Sequence, residues 1–379
     1  MSHLALLLPE LEAGGAQRVM LHLAREFAAR GHRVDLVLLT GKGPLVAAVP
    51  ARVRLVDLQC RNLGLGALGF AFSCVNRLAH WLRSERPDAM LSTITGANLV
   101  ALVARERAGV AMRLAIREAV TLSNTNSALR RWAMRRLYPR ADAVIALSSY
   151  MAAELEVRLG LAPERVVCIP NPVDVHLVWA GARQPLVHPW LDTPNLRVVI
   201  AAGRLIRQKD HATLLRAFAL LPTDAPARLL VIGEGPERLA LERLAGSLGI
   251  AQRVQLVGFD PNPWRWMARA DLFVLSSRWE GHPNSLLEAL VLGLPAVVTA
   301  YDSSIFDLAA RHGLALVPPA DPARLAQMMV RLLFGRRERR DGCVDEIDTA
   351  FACYLTALGV PDLTLSHAAL DHKTAAAAK

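Results

Sequence analysis

The residues best suited to binding or catalysis lie between positions 276 and 289, where two glutamates stand eight positions apart. Glu280 falls in an irregular polar stretch after an apolar run, and Glu288 falls about one turn inside a predicted helix that begins near Ser285. Carboxylates in these places can accept hydrogen bonds from vicinal hydroxyl groups, such as those of a sugar or a ribose. Asn284 or Ser285 can cap the helix, whose first N–H groups can meet a phosphate. The plainer alternative is an ion-paired Glu280 and a surface Glu288.

A second candidate combines two kinds of cation. Gly203 and Arg204 directly follow a predicted strand, and Lys209 comes five residues after Arg204, just before a predicted helix. The chain has 40 arginines and only 4 lysines, so a lysine at this place is unusual for its composition. A compact ammonium beside a planar guanidinium suits contact with phosphate oxygens. On charge alone, a solvated lysine at the start of a helix is an equally good interpretation.

Two pairs of glycines also lie between a predicted strand and a predicted helix. Gly14 and Gly15 form the first pair, and Gly233 and Gly235, followed by Pro236, form the second. Glycine lets the backbone approach a ligand closely, and a helix N-terminus offers free N–H groups to an anion. A tight turn without any ligand explains each pair equally well.

Short apolar runs alternate with longer helical patterns along the chain. Apolar runs without a two-residue period are typical of strands buried on both faces, and their alternation with helices predicts parallel sheets. The predicted strands are 3–8, 34–39, 89–93, 114–117, 143–147, 166–169, 197–202, 228–232, 254–257, 272–275, 296–299 and 314–317. The predicted fold class is therefore α/β, with two doubly wound, Rossmann-like domains and ligands at the carboxyl ends of the strands.

A proline-rich stretch separates the two predicted domains. Pro170 and Pro172 close the last strand of the first half, and no sustained period follows for about twenty residues. We predict a first domain over 1–170, a linker over 171–195, a second domain over 196–335, and a C-terminal segment over 336–379. The last segment begins with a basic turn and contains a predicted helix at 344–358, which can join the first domain.

Positive charge is concentrated in the first half. Residues 1–170 hold 22 Arg and Lys against 13 Asp and Glu, whereas residues 171–379 hold 22 against 21. With 53% hydrophobic residues the chain is too apolar to be disordered, and its longest uncharged stretch, 16 residues, is too short to span a bilayer. The first residues lack the basic region of a signal peptide, and five cysteines without a CxxC pair fit reduced thiols. We therefore expect a cytoplasmic protein.

Taken together, the motifs resemble the retaining glycosyltransferases of family four, which have the two-domain GT-B fold. The resemblance covers most of the chain, and the motifs occur in the family's order. They are Gly14-Gly15-Ala16-x-Arg18, Pro170-Asn171-Pro172-Val173-Asp174, Gly203-Arg204-x4-Lys209, Gly233-x-Gly235 and Glu280-Gly281-x-Pro283-Asn284-Ser285-x-x-Glu288-Ala289. The last is similar to the family's Glu-x7-Glu signature. Arg117-Glu118 is similar to a subgroup that builds lipid-linked or cell-surface polysaccharides in bacteria.

The resemblance implies a nucleotide-sugar donor, expected to be a UDP-sugar. Arg204 and Lys209 would bind its diphosphate, Glu280 would bind the hydroxyls of the transferred sugar, and Glu288 would bind the ribose. The first three of these are the expected catalytic residues. The implied donor site also includes Gly15, whose loop closes on the phosphates, Gly258 and Phe259 near the base, and Gly203, Gly233, Gly281, Pro283, Asn284 and Ser285.

The resemblance also implies transfer with retention, by attack of the acceptor on the face from which the diphosphate departs. Neither a metal nor another cofactor is expected, because the sequence has no DxD pattern and no Asp/His cluster at metal-ligand spacing. Closure of the two domains would assemble the site. The chain departs from the family at His282, where an aromatic residue such as Phe is usual, and at 301–307, where a Gly-rich loop is usual.

A basic amphipathic segment at 126–137 predicts contact with a membrane. It combines apolar residues with four arginines and a tryptophan, namely Arg130, Arg131, Trp132, Arg135 and Arg136. Interfacial helices of this kind bind anionic headgroups, so we expect the first domain to lie on the inner face of the cell membrane. There it would take a polyprenyl-diphosphate or polysaccharide acceptor near Arg117 and Glu118. The alternative is a helix packed on the core with solvated arginines, and nucleic acid is not an expected partner.

Two other functions remain open from the sequence. A UDP-sugar 2-epimerase of the same fold would act on the donor without an acceptor and would need acid/base carboxylates facing C2. A catalytically silent protein that binds nucleotide sugars is the second, although the presence of Arg204, Lys209, Glu280 and Glu288 argues against it.

Overall fold

The computed structural model describes residues 1–12, 14–62, 66–122, 127–335 and 347–363. These residues divide into two compact units. The first comprises Met1–Pro172 with the described residues after 346, and the second comprises the described residues from Val173 onward to 335.

Each unit is built on one parallel sheet. The first sheet has the strand order β3-β2-β1-β4-β5-β6-β7 and the second has the order β10-β9-β8-β11-β12-β13. The strands are β1 (His3–Leu8), β2 (Arg33–Leu38), β3 (Arg54–Asp57), β4 (Ala89–Thr93), β5 (Arg113–Arg117), β6 (Ala143–Ala146), β7 (Val166–Cys168), β8 (Arg197–Ala202), β9 (Ala227–Ile232), β10 (Val254–Gly258), β11 (Leu272–Leu275), β12 (Ala296–Thr299) and β13 (Ala315–Val317). The predicted α/β class with two doubly wound sheets is confirmed.

The central strands are buried on both faces, which explains their uninterrupted apolar sequences. In β1, Leu4, Leu6 and Leu8 belong to one core of the first unit, and Ala5 and Leu7 belong to the core on the opposite face. All five side chains are fully buried. Such a strand shows no polar alternation because neither face meets water.

Helices cover both faces of the sheets. They are α1 (Gly15–Ala29), α2 (Gly66–Glu85), α3 (Thr95–Ala108), α4 (Ala128–Leu137), α5 (Ser149–Leu159), α6 (Val175–Ala182), α7 (Pro189–Asp192), α8 (His211–Ala219), α9 (Arg238–Ser247), α10 (Trp264–Met267), α11 (Asn284–Val291), α12 (Ser304–His312), α13 (Pro322–Phe334) and α14 (Ile347–Ala357). No helix in the described part of the chain is both long enough and apolar enough to cross a bilayer.

The last helix, α14, completes one core of the first unit. Phe351, Tyr354 and Leu355 are buried in the same core as Leu4, Leu6 and Leu8 of β1. The C-terminal region therefore contributes packing to the unit that contains the N-terminus. The predicted start of this helix at 344, the basic turn at 336–340 and the last residues of the chain lie outside the described residues.

The predicted linker at 171–195 contains α6 and α7, and its residues from Val173 onward belong to the second compact unit. Asp174 caps α6 by accepting a hydrogen bond from the N–H of Leu177 at 2.9 Å, and Val178 is buried in a core of the second unit. Pro189 stands at the first turn of α7, where a missing N–H costs nothing. Helices this short show no repeated apolar period, and their prolines resemble those of a linker.

Candidate active site

The motifs of the second half meet where its strand order reverses. In the second sheet, β8 and β11 are neighbours, but the chain leaves them toward opposite edges. Doubly wound sheets open a crevice at the carboxyl ends of the strands at such a point, and ligands bind there. Gly203 directly follows β8 and Ser276 directly follows β11. Segments about seventy residues apart in sequence are thereby brought together.

An ion pair joins these two segments. The Nζ of Lys209 lies 2.5 Å from Oε1 of Glu280, with side chains 17% and 6% exposed, respectively. The same carboxylate accepts from the hydroxyl of Ser277 at 2.6 Å and from Nε2 of Gln208 at 3.3 Å. Lys209 and Glu280, both predicted as site residues from the sequence, are therefore in contact beyond the carboxyl ends of β8 and β11.

Arg204 differs from Lys209 in having no side-chain partner among the described residues. Its side chain is exposed and forms no hydrogen bond or ion pair with any residue that the structure describes. The charge of Lys209 is balanced by Glu280, whereas no carboxylate among the described residues pairs with Arg204.

Glycines allow the loops around Lys209 to pack closely. The Lys209 side chain crosses Gly203, where a Cβ would lie 3.2 Å from its Cε. Gly233 has a φ of +141°, and a Cβ there would lie 2.0 Å from the Gly203 carbonyl oxygen. Any side chain at Gly233 would push the loop after β8 out of place. This glycine is therefore required for packing, and the simple turn interpretation is incomplete.

The helix after the Glu280 loop starts differently from the expected capping. Pro283 is the N-cap residue of α11 and offers no side-chain bond, whereas Asn284 and Ser285 are its first two residues. Glu288 lies one turn further on and is partly buried. The expectation that Asn284 or Ser285 caps the helix is wrong, because proline closes the preceding turn one position earlier.

Two titratable residues at this point were not identified from the sequence. The Tyr301 phenol follows β12, and burial, together with the charge of Glu280, raises its pKa. Tyr301 lies in the stretch where the sequence departs from the family, and that stretch continues into α12 from Ser304. The second is His211, in the first turn of α8, whose imidazole lies against the backbone of Gly203 and Arg204. Burial, aided by the charge of Lys209, lowers the pKa of His211 to about 4.

We expect His211 to destabilise the fold as the pH falls. Its imidazole is protonated more easily in the unfolded chain, at an ordinary pKa of 6.5, than in the folded one, at about 4. The free energy of unfolding therefore decreases as the pH drops through this window, by about 3 kcal/mol in total. Urea unfolding across the window should show a shallower pH slope for His211→Leu than for the wild type. His176, which is exposed, provides the control variant. An unchanged slope in His211→Leu would contradict the assignment.

Gly258 and Phe259 also lie at the carboxyl ends of the strands, but further from the point between β8 and β11 where the strand order reverses. Gly258 has a φ of +95° and its carbonyl accepts from the N–H of Gly233 at 2.8 Å. Phe259 is 40% exposed, which leaves its ring accessible. Since β10 is the edge strand, these residues lie two strands away from β8.

In the first unit, Gly15 begins α1 and is exposed. Gly14 occupies the N-cap position without a side-chain capping bond, and no acidic residue stands in the first turn of α1. The first sheet reverses its strand order between β1 and β4, so the loop before α1 lies at the reversal.

Arg117 and Glu118 are buried, and their assignment to the acceptor side stays a prediction. Arg117 is fully buried and donates to the hydroxyl of Thr93 at 2.9 Å and to Oδ1 of Asn171. Glu118 accepts from the hydroxyl of Tyr138 at 2.6 Å, and burial raises its pKa. The pair forms an internal polar network, because the end of β5 is covered by neighbouring elements.

The basic segment of the first unit does form an exposed helix. Ser127 caps α4 by accepting from the N–H of Arg130 at 3.2 Å. Leu129 and Trp132 are 72% and 65% exposed, and Met134 is the buried residue of the helix. Exposed apolar side chains thus lie beside the arginines, namely Arg130, Arg131, Arg135 and Arg136. The residue at 126, included in the predicted helix, lies outside the described residues.

Among the described residues, one group of a histidine and two carboxylates has the spacing of metal ligands. It lies away from the carboxyl ends of the strands, where the candidate site is. It consists of His3, Asp35 and Glu85. Arg54 donates to Asp35 and lies 2.9 Å from Glu85, so a cation already occupies the group. Burial alone would raise the pKa of Asp35, but hydrogen bonds from His3 and Arg54 lower it to about 2.

Comparison with known proteins agrees with this geometry. Residues 13–177 match the family described as Glycosyltransferase Family 4, and residues 196–334 match Glycosyl transferases group 1. A Campylobacter jejuni N-acetylgalactosamine-N,N'-diacetylbacillosaminyl-diphospho-undecaprenol 4-alpha-N-acetylgalactosaminyltransferase is 28% identical over 81% of this chain and 83% of its own. The lipopolysaccharide core biosynthesis glycosyltransferase LpsE of Rhizobium meliloti is 28% identical over 76% of each chain.

Solved structures establish the fold. Anabaena HepE in complex with UDP-glucose superposes with a TM-score of 0.74 at 19% identity, covering 99% of this chain and 100% of that one. This superposition shows the GT-B fold, and the two family matches make the protein a glycosyltransferase. Within that class, the chain belongs to glycosyltransferase family 4, as its motifs predict.

Proposed function

We propose that this glycosyltransferase moves a sugar, with retention, from a UDP-sugar to a lipid-linked or polysaccharide acceptor in the synthesis of a cell-surface glycan. The observation that carries the donor part is the contact between Lys209 and Glu280 at the strand reversal of the second unit, with Arg204 in the same loop after β8. The Anabaena relative, solved with UDP-glucose, supports the choice of UDP. The Campylobacter and Rhizobium relatives support an acceptor of the lipid-linked or lipopolysaccharide kind.

In this proposal Arg204 and Lys209 bind the donor diphosphate. As the bond to the anomeric carbon lengthens, positive charge develops on the sugar and negative charge develops on the departing diphosphate. Two cations in contact with the bound diphosphate stabilise the charge where it grows. Lys209 is held by its neighbours, whereas the exposed Arg204 can turn toward an incoming phosphate.

The remaining donor contacts follow from the positions of the carboxylates. Glu280 accepts hydrogen bonds from hydroxyls of the transferred sugar, and Glu288, one turn into α11, accepts from the ribose. The exposed ring of Phe259 offers a surface for the base. We further propose that no metal takes part, because Arg204 and Lys209 can contact the diphosphate oxygens that a metal ion would otherwise bind, and that the departing phosphate takes the acceptor proton.

The acceptor side of the proposal involves α4 and a membrane. Arginines beside exposed Leu129 and Trp132 form the combination that lies in a headgroup layer, with apolar side chains toward the acyl chains. Phe72 of α2, 59% exposed, adds to the apolar surface of the first unit. We propose that this surface places the first unit on the inner face of the cell membrane, where a polyprenyl-diphosphate acceptor would be found.

Charge reversal on α4 should weaken binding to anionic vesicles. Each arginine near a charged surface contributes about 1 kcal/mol, so Arg130→Glu combined with Arg136→Glu should weaken binding by at least about 30-fold at low salt. Arg216→Glu combined with Arg243→Glu makes the same charge change on exposed helix positions of the second unit. Vesicle sedimentation measures both. Equal binding by the two double variants would exclude α4 as the membrane surface.

The proposed function is tested by binding and product analysis. A thermal-shift screen of UDP-, GDP- and ADP-sugars should show stabilisation by a UDP-sugar, since only a ligand of the folded state raises the melting temperature. The same donor, incubated with a polyprenyl-diphosphate-linked sugar and EDTA, should yield a product whose new linkage keeps the donor's anomeric configuration. Inversion of the anomeric configuration would overturn the proposed retention, and dependence on added metal would overturn metal independence. Stabilisation only by a nucleotide sugar other than a UDP-sugar would overturn the choice of donor. An epimerised donor without acceptor would replace the proposal with the epimerase.

A further inference from the structure

Asp210 has a backbone conformation that few side chains adopt. Its φ and ψ are both 46°, in the left-handed region, and the residue is 4% exposed. Aspartate tolerates this region because its carboxylate bonds to nearby groups. Here the carboxylate caps α8, accepting from the N–H of Thr213 at 3.3 Å and from its hydroxyl at 2.9 Å. Capping does not account for a further bond, in which Nε of Arg278 donates to Oδ2 at 2.9 Å.

The ion pair between Asp210 and Arg278 is one of several bonds that join segments 208–210 and 276–280. The others run from the Arg278 N–H to the Gln208 carbonyl (2.8 Å), from the Ser276 hydroxyl to the Lys209 carbonyl (2.9 Å) and from Gln208 Nε2 to the Trp279 carbonyl (2.9 Å). In the first segment these bonds involve the residues on both sides of Lys209, and in the second they involve residues that directly precede Glu280. The two segments therefore behave as one cross-linked support for the cation and the carboxylate.

We propose that Asp210 and Arg278 are positioning residues of the transfer reaction. Their ion pair fixes the spacing between the cation and the carboxylate that face the donor. The inference rests on the proposed function, in which Lys209 binds the diphosphate and Glu280 binds the sugar of one donor molecule. Because the donor must satisfy both groups at once, a displacement of one segment by about 1 Å is enough to lower turnover by about 10²-fold.

The ion pair between Asp210 and Arg278 contributes little to the free energy of unfolding. Its loss can therefore lower turnover without unfolding the protein. The Arg278 side chain is 38% exposed, and ion pairs with one partner in water are weak. The cap on α8 is carried by the bonds to Thr213, which an asparagine at 210 can retain because it also tolerates the left-handed region. Asp210→Asn therefore removes the attraction to Arg278 and leaves the local backbone and the cap in place.

The test is a double-mutant cycle with Asp210→Asn, Arg278→Gln and their combination. We expect each single variant to lower kcat by about 10- to 100-fold, with the KM for the acceptor unchanged and the melting temperature within a few degrees of the wild type. The combined variant should be no worse than either single one, because both remove the same interaction. Arg278→Lys, which keeps the charge, should restore part of the loss.

Asp321→Asn serves as the matched control. Asp321 caps α13 by accepting from the N–H of Arg324 at 2.9 Å, two strands away from the site. It should keep wild-type kcat. Wild-type kcat in Asp210→Asn, or strictly additive losses in the cycle, would overturn the positioning role while leaving the proposed function intact. A wild-type protein that transfers no sugar from any nucleotide sugar would overturn the proposed function, and this inference with it.

Discussion

Lys209→Ala is expected to lower kcat/KM by about 10³-fold while the protein stays folded. The loss has two sources. The departing diphosphate loses the ammonium that balances its growing charge. In addition, the carboxylate of Glu280, which lies 2.5 Å from that ammonium, becomes an unbalanced anion facing another anion. Arg204→Ala removes a cation but unmasks no such carboxylate, so its loss should be smaller.

Steady-state kinetics with varied donor, together with calorimetry of UDP binding, measure this effect. Arg216→Ala, which removes an exposed cation from the outer face of α8, is the control and should keep wild-type values. Glu280 keeps its bond from Ser277 in Lys209→Ala, so we expect only a modest fall in melting temperature. Turnover within a few-fold of the wild type would mean that the ammonium does not face the diphosphate.

The sheets were predictable from the sequence because their central strands are continuous apolar runs. Strand β3 was not predicted because it lacks such a run. It lies at an edge of the sheet, has only four residues and carries Arg54 and Asp57 at its ends. Helices α6, α7 and α12 were missed for a related reason. They are too short for a repeated period, or they begin in a stretch that departs from the family, as α12 does at Ser304.

Site residues were predictable where a motif fixes both residue type and position. The Lys209 and Glu280 motifs each follow a strand, and the parallel topology brings those strand ends together. Burial was not predictable in the same way. Arg117 has the sequence context of a surface residue, but Tyr354, more than two hundred residues later, contributes to its buried network by accepting from its Nε at 3.1 Å. Asp210 gave no signal either, because its role depends on Arg278 and on a left-handed backbone.

Glu280→Gln is expected to separate binding of the nucleotide from transfer of the sugar. The amide keeps the shape of the side chain and can still accept from Ser277 and Lys209 through its oxygen. It no longer balances the charge of Lys209, so the affinity for UDP should be equal to or higher than that of the wild type. Its neutral oxygen is a weaker acceptor for sugar hydroxyls, so kcat should fall by at least about 10²-fold.

The combined variant Lys209→Ala with Glu280→Gln tests the charge argument directly. If the harm of Lys209→Ala comes partly from the unbalanced carboxylate, removing that carboxylate should recover part of the lost affinity for UDP, although turnover stays low. Calorimetry with UDP and kinetics with the sugar donor read the two quantities separately. A double variant that binds UDP no better than Lys209→Ala would contradict the charge argument. A Glu280→Gln variant that loses UDP affinity in proportion to kcat would show that the carboxylate contacts the UDP part of the donor. The assignment of Glu280 to the transferred sugar would then fail, because UDP lacks that sugar and a neutral glutamine at 280 should not lower the affinity for it.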